Sequence, residues 1–249
     1  MRYVAVGDSF TEGVGDVLPD GSLRGWADLV ATGLAGATGR VVHYANLAVR
    51  GRLLAPIVDE QVEAALTLDP PPTLMTFNGG GNDLMRPRPD VQRMVALTAQ
   101  VVRRCRDAGV HLVLLAGPNP SGQLPLGRVM DRRGGALTGA VAALAAREGV
   151  TYVDVYDDLE VRRPCYWSAD RLHLNADGHR RVAGLVLAAL GHTGQAHVVD
   201  PAPPARRRPA EELRYYRQHV LPWVGRRVTG RSSGDGRAGK YRDWVPVTL

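Results

Sequence analysis

The chain has 249 residues, of which 45% are apolar, and a formal net charge of +6. This length suits one substantial domain with an appendage, or two small domains. No stretch of about 18 uncharged apolar residues predicts a transmembrane helix, the N-terminus lacks the features of a signal peptide, and two cysteines are too few for a disulfide framework. We therefore expect a cytoplasmic protein.

Strands and helices alternate along the first 190 residues. Apolar, β-branched runs predict strands at 2–6, 41–49, 73–78, 111–117 and 151–156. Helical periodicity predicts helices at 26–38, 53–66, 91–108, 135–147 and 176–190. This alternation is typical of βαβ units around a parallel sheet that is buried on both faces. The predicted fold class is therefore α/β, with a five-stranded parallel sheet.

The composition changes after residue 192. Residues 1–192 carry 20 basic and 20 acidic side chains, so the whole positive excess lies in residues 193–249. The segment 192–210 is rich in proline and arginine and predicts a linker. The glycine- and charge-rich segment 226–243 is expected to be mobile in isolation. The chain therefore divides into a body, residues 1–192, and a basic C-terminal extension.

A short helix is predicted near 210–222 in the extension. The apolar residues predicted to anchor it, with those just after it, are Leu213, Tyr216, Val220, Leu221 and Trp223. The first three have the spacing i, i+3, i+7, which places them on one helical face. Because an exposed apolar face marks an interface, we expect 210–228 to dock on the body or on a second copy of the chain. The alternatives are a basic arm that attracts an anionic surface and a marginal helix that docks nowhere. No nucleic-acid partner is expected.

Candidate site residues occur at four places that a parallel sheet brings to one edge. Ser9 follows the first strand in GDSFTEG, Gly51 follows the second in NLAVRG, and Asn82 follows the third in GGGND. Asp170 and His173 precede the last helix in DRLH. The four blocks are therefore expected to meet at one rim of the sheet.

These residue types suit the chemistry of acyl transfer. Ser9 supplies a hydroxyl, and His173 can take its proton as general base and return it to the leaving group. Asp170 can accept the other imidazole N–H and fix the tautomer. The N–H groups of Ser9 and Gly51 and the side chain of Asn82 can donate hydrogen bonds to a developing oxyanion.

In these four blocks the chain resembles the SGNH hydrolases, the GDSL family of esterases and lipases. The resemblance spans about residues 2–190 and keeps the order of all four blocks, with Phe10 where the family name expects leucine. It implies a flavodoxin-like, three-layer α/β/α sandwich and ester hydrolysis of a small-molecule substrate without a metal or another cofactor. Two other functions remain open: an acyltransferase with the same machinery, and a catalytically inactive binding module of the same fold.

Several residues near the four blocks also have structural explanations. Asp8 and Asp83 could join Asp170 and His173 in an oxygen-rich metal site. Because no His-rich ligand spacing or phosphate loop accompanies them, Asp8 and Asp83 are instead expected to accept backbone N–H bonds. His179 is expected to be a structural histidine inside the last helix.

Three further predictions concern the surroundings of the last block. Trp167 could line a substrate pocket or pack into the core, and Cys165 is expected to be a packed cysteine. Asn175 or Asp177 should cap the last helix. Walls of the pocket are expected from the loops 10–25, 84–92 and 118–135.

Overall fold

A computed structural model describes residues 1–124, 127–192, 197–199, 215, 217–218 and 232–249. Its centre is a sheet with the strand order β5-β4-β3-β1-β2-β6. The strands are β1 (Arg2–Val6), β2 (Val42–Asn46), β3 (Leu74–Phe77), β4 (His111–Leu115), β5 (Thr151–Val153) and β6 (Tyr241–Val247). The first five strands are parallel to their neighbours, and β6 runs antiparallel to β2.

Helices lie between the strands in the chain. They are α1 (Ser9–Glu12), α2 (Trp26–Thr38), α3 (Leu54–Pro56), α4 (Val62–Leu66), α5 (Gly81–Leu84), α6 (Val91–Asp107), α7 (Gly127–Glu148) and α8 (Ala176–Ala189). A π-helical segment, Ile57–Gln61, joins α3 to α4, and a short 3-10 helix covers Pro164–Tyr166. None of the helices within the described residues is long and apolar enough to cross a membrane.

Alternating side chains of the strands separate two hydrophobic cores. In β1, Tyr3 and Ala5 belong to the core that α2 and α8 cover, whereas Val4 and Val6 belong to the core beneath α4, α6 and α7. Both faces of the strand are apolar because both are covered by helices. The result is the three-layer α/β/α sandwich that the sequence predicts.

The ten elements predicted within residues 1–192 are all present, and the largest difference concerns α7. This helix already includes Gly127, although the prediction begins at residue 135. The pair Gly134–Gly135 resembles a helix break in the sequence. A Cβ on Gly134 would lie 2.5 Å from the Tyr156 ring, so this glycine allows close packing inside a continuous helix.

The sheet has six strands rather than five because the C-terminal residues form β6. Val245 and Val247 of this strand pack against the core of α2 and α8, and Trp244 packs against the other core. Pro246 is tolerated because β6 is an edge strand. Part of the segment that is expected to be mobile in isolation, from residue 232 onward, thus packs on the body in this structure. Of the helix predicted near 210–222, only residues 215, 217 and 218 are described, and its predicted apolar anchors lie outside the described residues.

Candidate active site

Ser9 begins α1 directly after the carboxyl end of β1. Asp8 caps this helix, with its Oδ1 atom accepting the Phe10 N–H at 3.1 Å. Gln61 fixes the preceding turn, because its side chain accepts the Gly7 N–H at 2.9 Å and donates to the Gly7 carbonyl at 3.0 Å. The Ser9 side chain is thereby held half-buried at the N-terminus of a short helix.

A tight turn presents Asp170 and His173 together. The turn is closed by a β-bridge between Trp167 and Leu174 and by a hydrogen bond from Ser168 N to His173 O at 2.9 Å. Asp170 Oδ1 accepts the backbone N–H of His173 at 3.0 Å and the Ser168 hydroxyl at 2.7 Å. The same short segment therefore orients both side chains.

Hydrogen bonds connect Ser9, His173 and Asp170 in one line. The distance from Ser9 Oγ to His173 Nε2 is 2.9 Å, and that from His173 Nδ1 to Asp170 Oδ2 is 2.6 Å. An ionised carboxylate only accepts hydrogen bonds, so Nδ1 carries the imidazole proton and Nε2 faces the Ser9 hydroxyl as an acceptor.

The environment of Asp170 favours its ionised form. Burial alone would raise its pKa, but the hydrogen bond and charge of His173, together with backbone and Ser168 donors, outweigh burial and hold the pKa well below its usual range. Asp170 therefore remains a carboxylate at every pH at which the protein is expected to work.

Gly51 lies in a loop that α1 holds in place. Its φ of +75° lies in the left-handed region that favours glycine. The preceding residue, Arg50, donates its backbone N–H to Glu12 Oε2 at 2.6 Å, and its guanidinium pairs with the same carboxylate. Glu12 stands three residues after Ser9 in the first block, but its role in holding this loop was not predicted from the sequence.

Asn82 connects the third block to the first and second. Its Nδ2 atom donates to Asp8 Oδ2 at 3.1 Å and to the Arg52 carbonyl at 3.0 Å. Burial raises the pKa of Asp8 to about 6, although its hydrogen bonds from Phe10 and Asn82 favour the charged form. Asp8 thus helps to orient the Asn82 amide as well as to cap α1.

Two backbone donors at the cavity have no acceptor among the described residues. Within the ranges that the structure describes, neither the Ser9 N–H nor the Gly51 N–H donates to a protein atom. Unpaired N–H groups at the start of a helix and in a glycine loop are suited to binding an anion.

Several residues near the site have structural roles. Asp83 accepts the Leu54 N–H at 2.9 Å, and His179 accepts the Trp26 N–H at 3.1 Å while fully buried. Trp167 lies in the core and donates to the Val161 carbonyl at 2.8 Å. Asn175 is the N-cap of α8. No group of three or more potential metal ligands occurs in the described part of the chain.

A cavity of about 1170 Å³ opens beside Ser9 and His173. Much of its lining is apolar and comes from the strands β3 and β4 and from helices on one face of the sheet, including Leu54, Phe77, Leu84, Leu114, Leu137 and Val141. Residues from all three predicted loops, 10–25, 84–92 and 118–135, form part of the wall. The C-terminal residues Tyr215, Gln218, Ser232 and Ser233 also contribute, which the sequence analysis did not predict.

Comparisons with known proteins agree with this fold and with the four blocks. The model of the GDSL-like Lipase/Acylhydrolase family matches residues 5–181. The chain therefore belongs to the GDSL-like lipase and acylhydrolase family, as the resemblance of its blocks predicts. A search among curated protein sequences found no match.

Solved structures of low sequence identity share the fold. The lipase Lip_vut3 from a goat rumen metagenome is 20% identical, with a TM-score of 0.63 over 76% of this chain and 97% of its own. TesA is 22% identical, with a TM-score of 0.63 over 76% and 98% of the two chains. The acetylxylan esterase Axe2 from Geobacillus stearothermophilus is 18% identical, with a TM-score of 0.59 over 77% and 94%.

Proposed function

We propose that this member of the family is a serine esterase that cleaves a carboxylic ester through an acyl-serine intermediate. The observation that carries the proposal is the line of hydrogen bonds from Ser9 Oγ through His173 to Asp170, with lengths of 2.9 and 2.6 Å. A serine hydroxyl is a weak nucleophile until an adjacent base takes its proton, and His173 Nε2 is placed to do so.

The reaction has two halves. Ser9 Oγ attacks the ester carbonyl while His173 takes its proton, and Asp170 stabilises the imidazolium that forms. The tetrahedral intermediate then collapses, His173 returns the proton to the leaving alcohol, and an acyl-serine remains. A water molecule, activated by His173 in the same way, releases the carboxylic acid and restores Ser9. The steps require no metal or other cofactor.

Three donors are proposed to stabilise the oxyanion. The unpaired N–H groups of Ser9 and Gly51 supply two, and Asn82 Nδ2 supplies the third. Both hydrogens of the Asn82 amide have acceptors in this structure, Asp8 and the Arg52 carbonyl. We propose that the oxyanion takes over one of these hydrogen bonds as charge develops.

The cavity favours an ester with an apolar acyl group. Its volume of about 1170 Å³ is slightly above the roughly 300–1,000 Å³ range typical of ligand sites, and much of its wall is apolar. A chain-length series of p-nitrophenyl esters tests this directly. We expect kcat/KM to rise from the acetate to medium-chain esters, and a preference for the acetate would contradict the acyl assignment.

Ser9→Ala tests the proposed function itself. Loss of the nucleophile should lower kcat by about 10⁴–10⁶ without changing the melting temperature, because the Ser9 side chain is half-buried and contributes little packing. Undiminished hydrolysis of p-nitrophenyl esters by the purified variant would contradict the proposal.

The same assay separates the two alternatives. An acyltransferase would convert an added alcohol or sugar into a new ester faster than it releases acid. An inactive binding module would show no turnover in either the parent chain or Ser9→Ala. The complete set of donors and acceptors around Ser9 favours the hydrolase over the binding module.

A further inference from the structure

One wall of the cavity comes from a part of the chain that the family match does not reach. The match ends at residue 181, whereas Ser232 and Ser233 border the cavity beside Gly51. We propose that the C-terminal segment 232–240 positions the Arg50–Gly51 peptide, and with it the Gly51 N–H that donates to the oxyanion. This inference rests on the proposed function.

The closest contact is between Gly234 and the carbonyl of Arg50. A Cβ built on the buried Gly234 would lie 2.1 Å from Arg50 O and 2.9 Å from Val49 Cγ1. The backbone of the segment therefore runs directly against this carbonyl. Because a peptide unit is planar, a contact that sets the direction of the Arg50 C=O also sets the direction of the Gly51 N–H in the same plane.

Ser232 contacts the next carbonyl along the chain, that of Gly51. Its Oγ donates to the Gly51 carbonyl at 3.4 Å and accepts the Gly234 N–H at 3.2 Å. The Ser232 N–H donates to Asp235 Oδ2 at 2.8 Å, which closes the turn. The segment thus contacts both carbonyls that flank the Gly51 N–H.

The segment is itself anchored to the body by the residues that follow the turn. Lys240 Nζ donates to the carbonyls of Glu12 and Leu23 and to Asp28 Oδ2, at 2.9, 3.1 and 2.6 Å. Gly239 passes so close to Leu47 that a Cβ would lie 2.5 Å from its Cα. Strand β6 then continues the segment into the sheet.

Such support matters because the supported residue is a glycine. A glycine with a φ of +75° reaches alternative conformations at little cost, and rotation of its peptide would change the direction of the N–H. Glu12 holds the Arg50 N–H from the side of α1. The C-terminal segment supplies the opposing contact on the Arg50 carbonyl.

Gly234→Ala tests the inference, with Gly236→Ala as the matched control. The first variant adds one methyl group against Arg50 O. The second adds the same group in the same turn, at a φ of +72° but with no atom within 4 Å. We expect Gly234→Ala to lower kcat about 10-fold or more with KM changed less than about 2-fold, because loss of a whole oxyanion donor costs about 10²–10³ in kcat. Gly236→Ala should retain the parent kcat.

The outcomes distinguish this inference from the proposed function. If the parent chain hydrolyses no ester, the proposed function fails and the inference fails with it. If the parent is active but Gly234→Ala and Gly236→Ala have equal kcat, only the inference is overturned. The same holds if the kcat of Gly234→Ala is higher than that of Gly236→Ala. Should Gly234→Ala not fold, Ser232→Val replaces the hydroxyl beside Gly51 by methyl groups. A lower kcat at unchanged melting temperature would then support the inference, and an unchanged kcat would overturn it.

Discussion

His179 illustrates how single residues divide between structure and chemistry in this protein. It lies six residues after His173, but α8 buries it completely, and burial lowers its pKa to about 4. Its Nδ1 atom accepts the Trp26 N–H, and its Nε2 atom faces the Val14 carbonyl at 3.3 Å. The neutral ring therefore joins α8 to α2 and to the loop after α1. The prediction that His179 is structural is confirmed.

His179 should make stability depend on pH. Between about pH 6.5 and 4 the unfolded chain binds a proton at this residue and the folded chain does not. The contribution of neutral His179 to the free energy of unfolding is therefore fully present above pH 6.5 and is lost as the pH falls towards 4. Asp8, whose pKa burial raises to about 6, acts in the opposite direction between about pH 4 and 6, so the parent curve alone does not isolate His179.

The variant His179→Gln separates the contribution of His179 from that of Asp8, because glutamine can replace both hydrogen bonds of His179 without titrating. From pH 7 to pH 5 the parent should lose about 2 kcal/mol more free energy of unfolding than the variant. Urea unfolding of both proteins at the two pH values measures this difference. Identical pH dependence in parent and variant would contradict the account.

At the scale of elements, the pairing of Lys240 with Asp28 connects the C-terminal segment to α2. Both side chains are only 17% exposed, and burial raises the pKa of Asp28 despite the charge of Lys240. Removing one member of such a pair leaves a buried charge without its partner, which is more costly than removing both.

We therefore expect Lys240→Met to lower the free energy of unfolding by about 3 kcal/mol. The double variant Lys240→Met/Asp28→Asn should recover part of this loss. Arg242→Met, a substitution at an exposed position of β6, is the matched control and should have little effect. Equal stability of Lys240→Met and Arg242→Met in denaturant unfolding would show that the pair does not anchor the segment.

The residues at the rim of the sheet could be predicted from the sequence, because the local pattern of strands and helices determines where most of them lie. Alternating strands and helices predict the parallel sheet, and a parallel sheet brings the ends of its strands to one edge. Ser9, Gly51, Asn82 and the Asp170–His173 turn all follow from this placement. The roles of Glu12 and Gln61 could not be predicted, because their partners, Arg50 and the Gly7 backbone, are distant in the sequence.

The C-terminal segment could not be predicted for a different physical reason. Glycines in 232–239 resemble a mobile stretch in composition, yet Gly234 and Gly239 are the positions at which the backbone touches Arg50 and Leu47. Strand β6 carries charges and Pro246, and its place beside β2 depends on packing against both cores. The expected docking of residues 210–228 remains a prediction, because most of those residues lie outside the described ranges.

For the molecule as a whole, the central claim is that one serine among several acts as the nucleophile. The other described serines are Ser22, Ser121, Ser168, Ser232 and Ser233, but among the described residues only Ser9 has a hydrogen bond to a histidine that is paired with a carboxylate. A fluorophosphonate reacts with an activated serine hydroxyl and forms a stable adduct there. Ordinary serines, whose protons no base accepts, remain unmodified.

Mass spectrometry of the fluorophosphonate-treated protein, intact and after digestion, is therefore the most direct test. We predict a single adduct on the peptide that contains Ser9, and none on Ser9→Ala or on His173→Ala at the same reagent concentration. An adduct on another serine, or an unmodified parent protein that still hydrolyses esters, would contradict the assignment of Ser9 as the nucleophile.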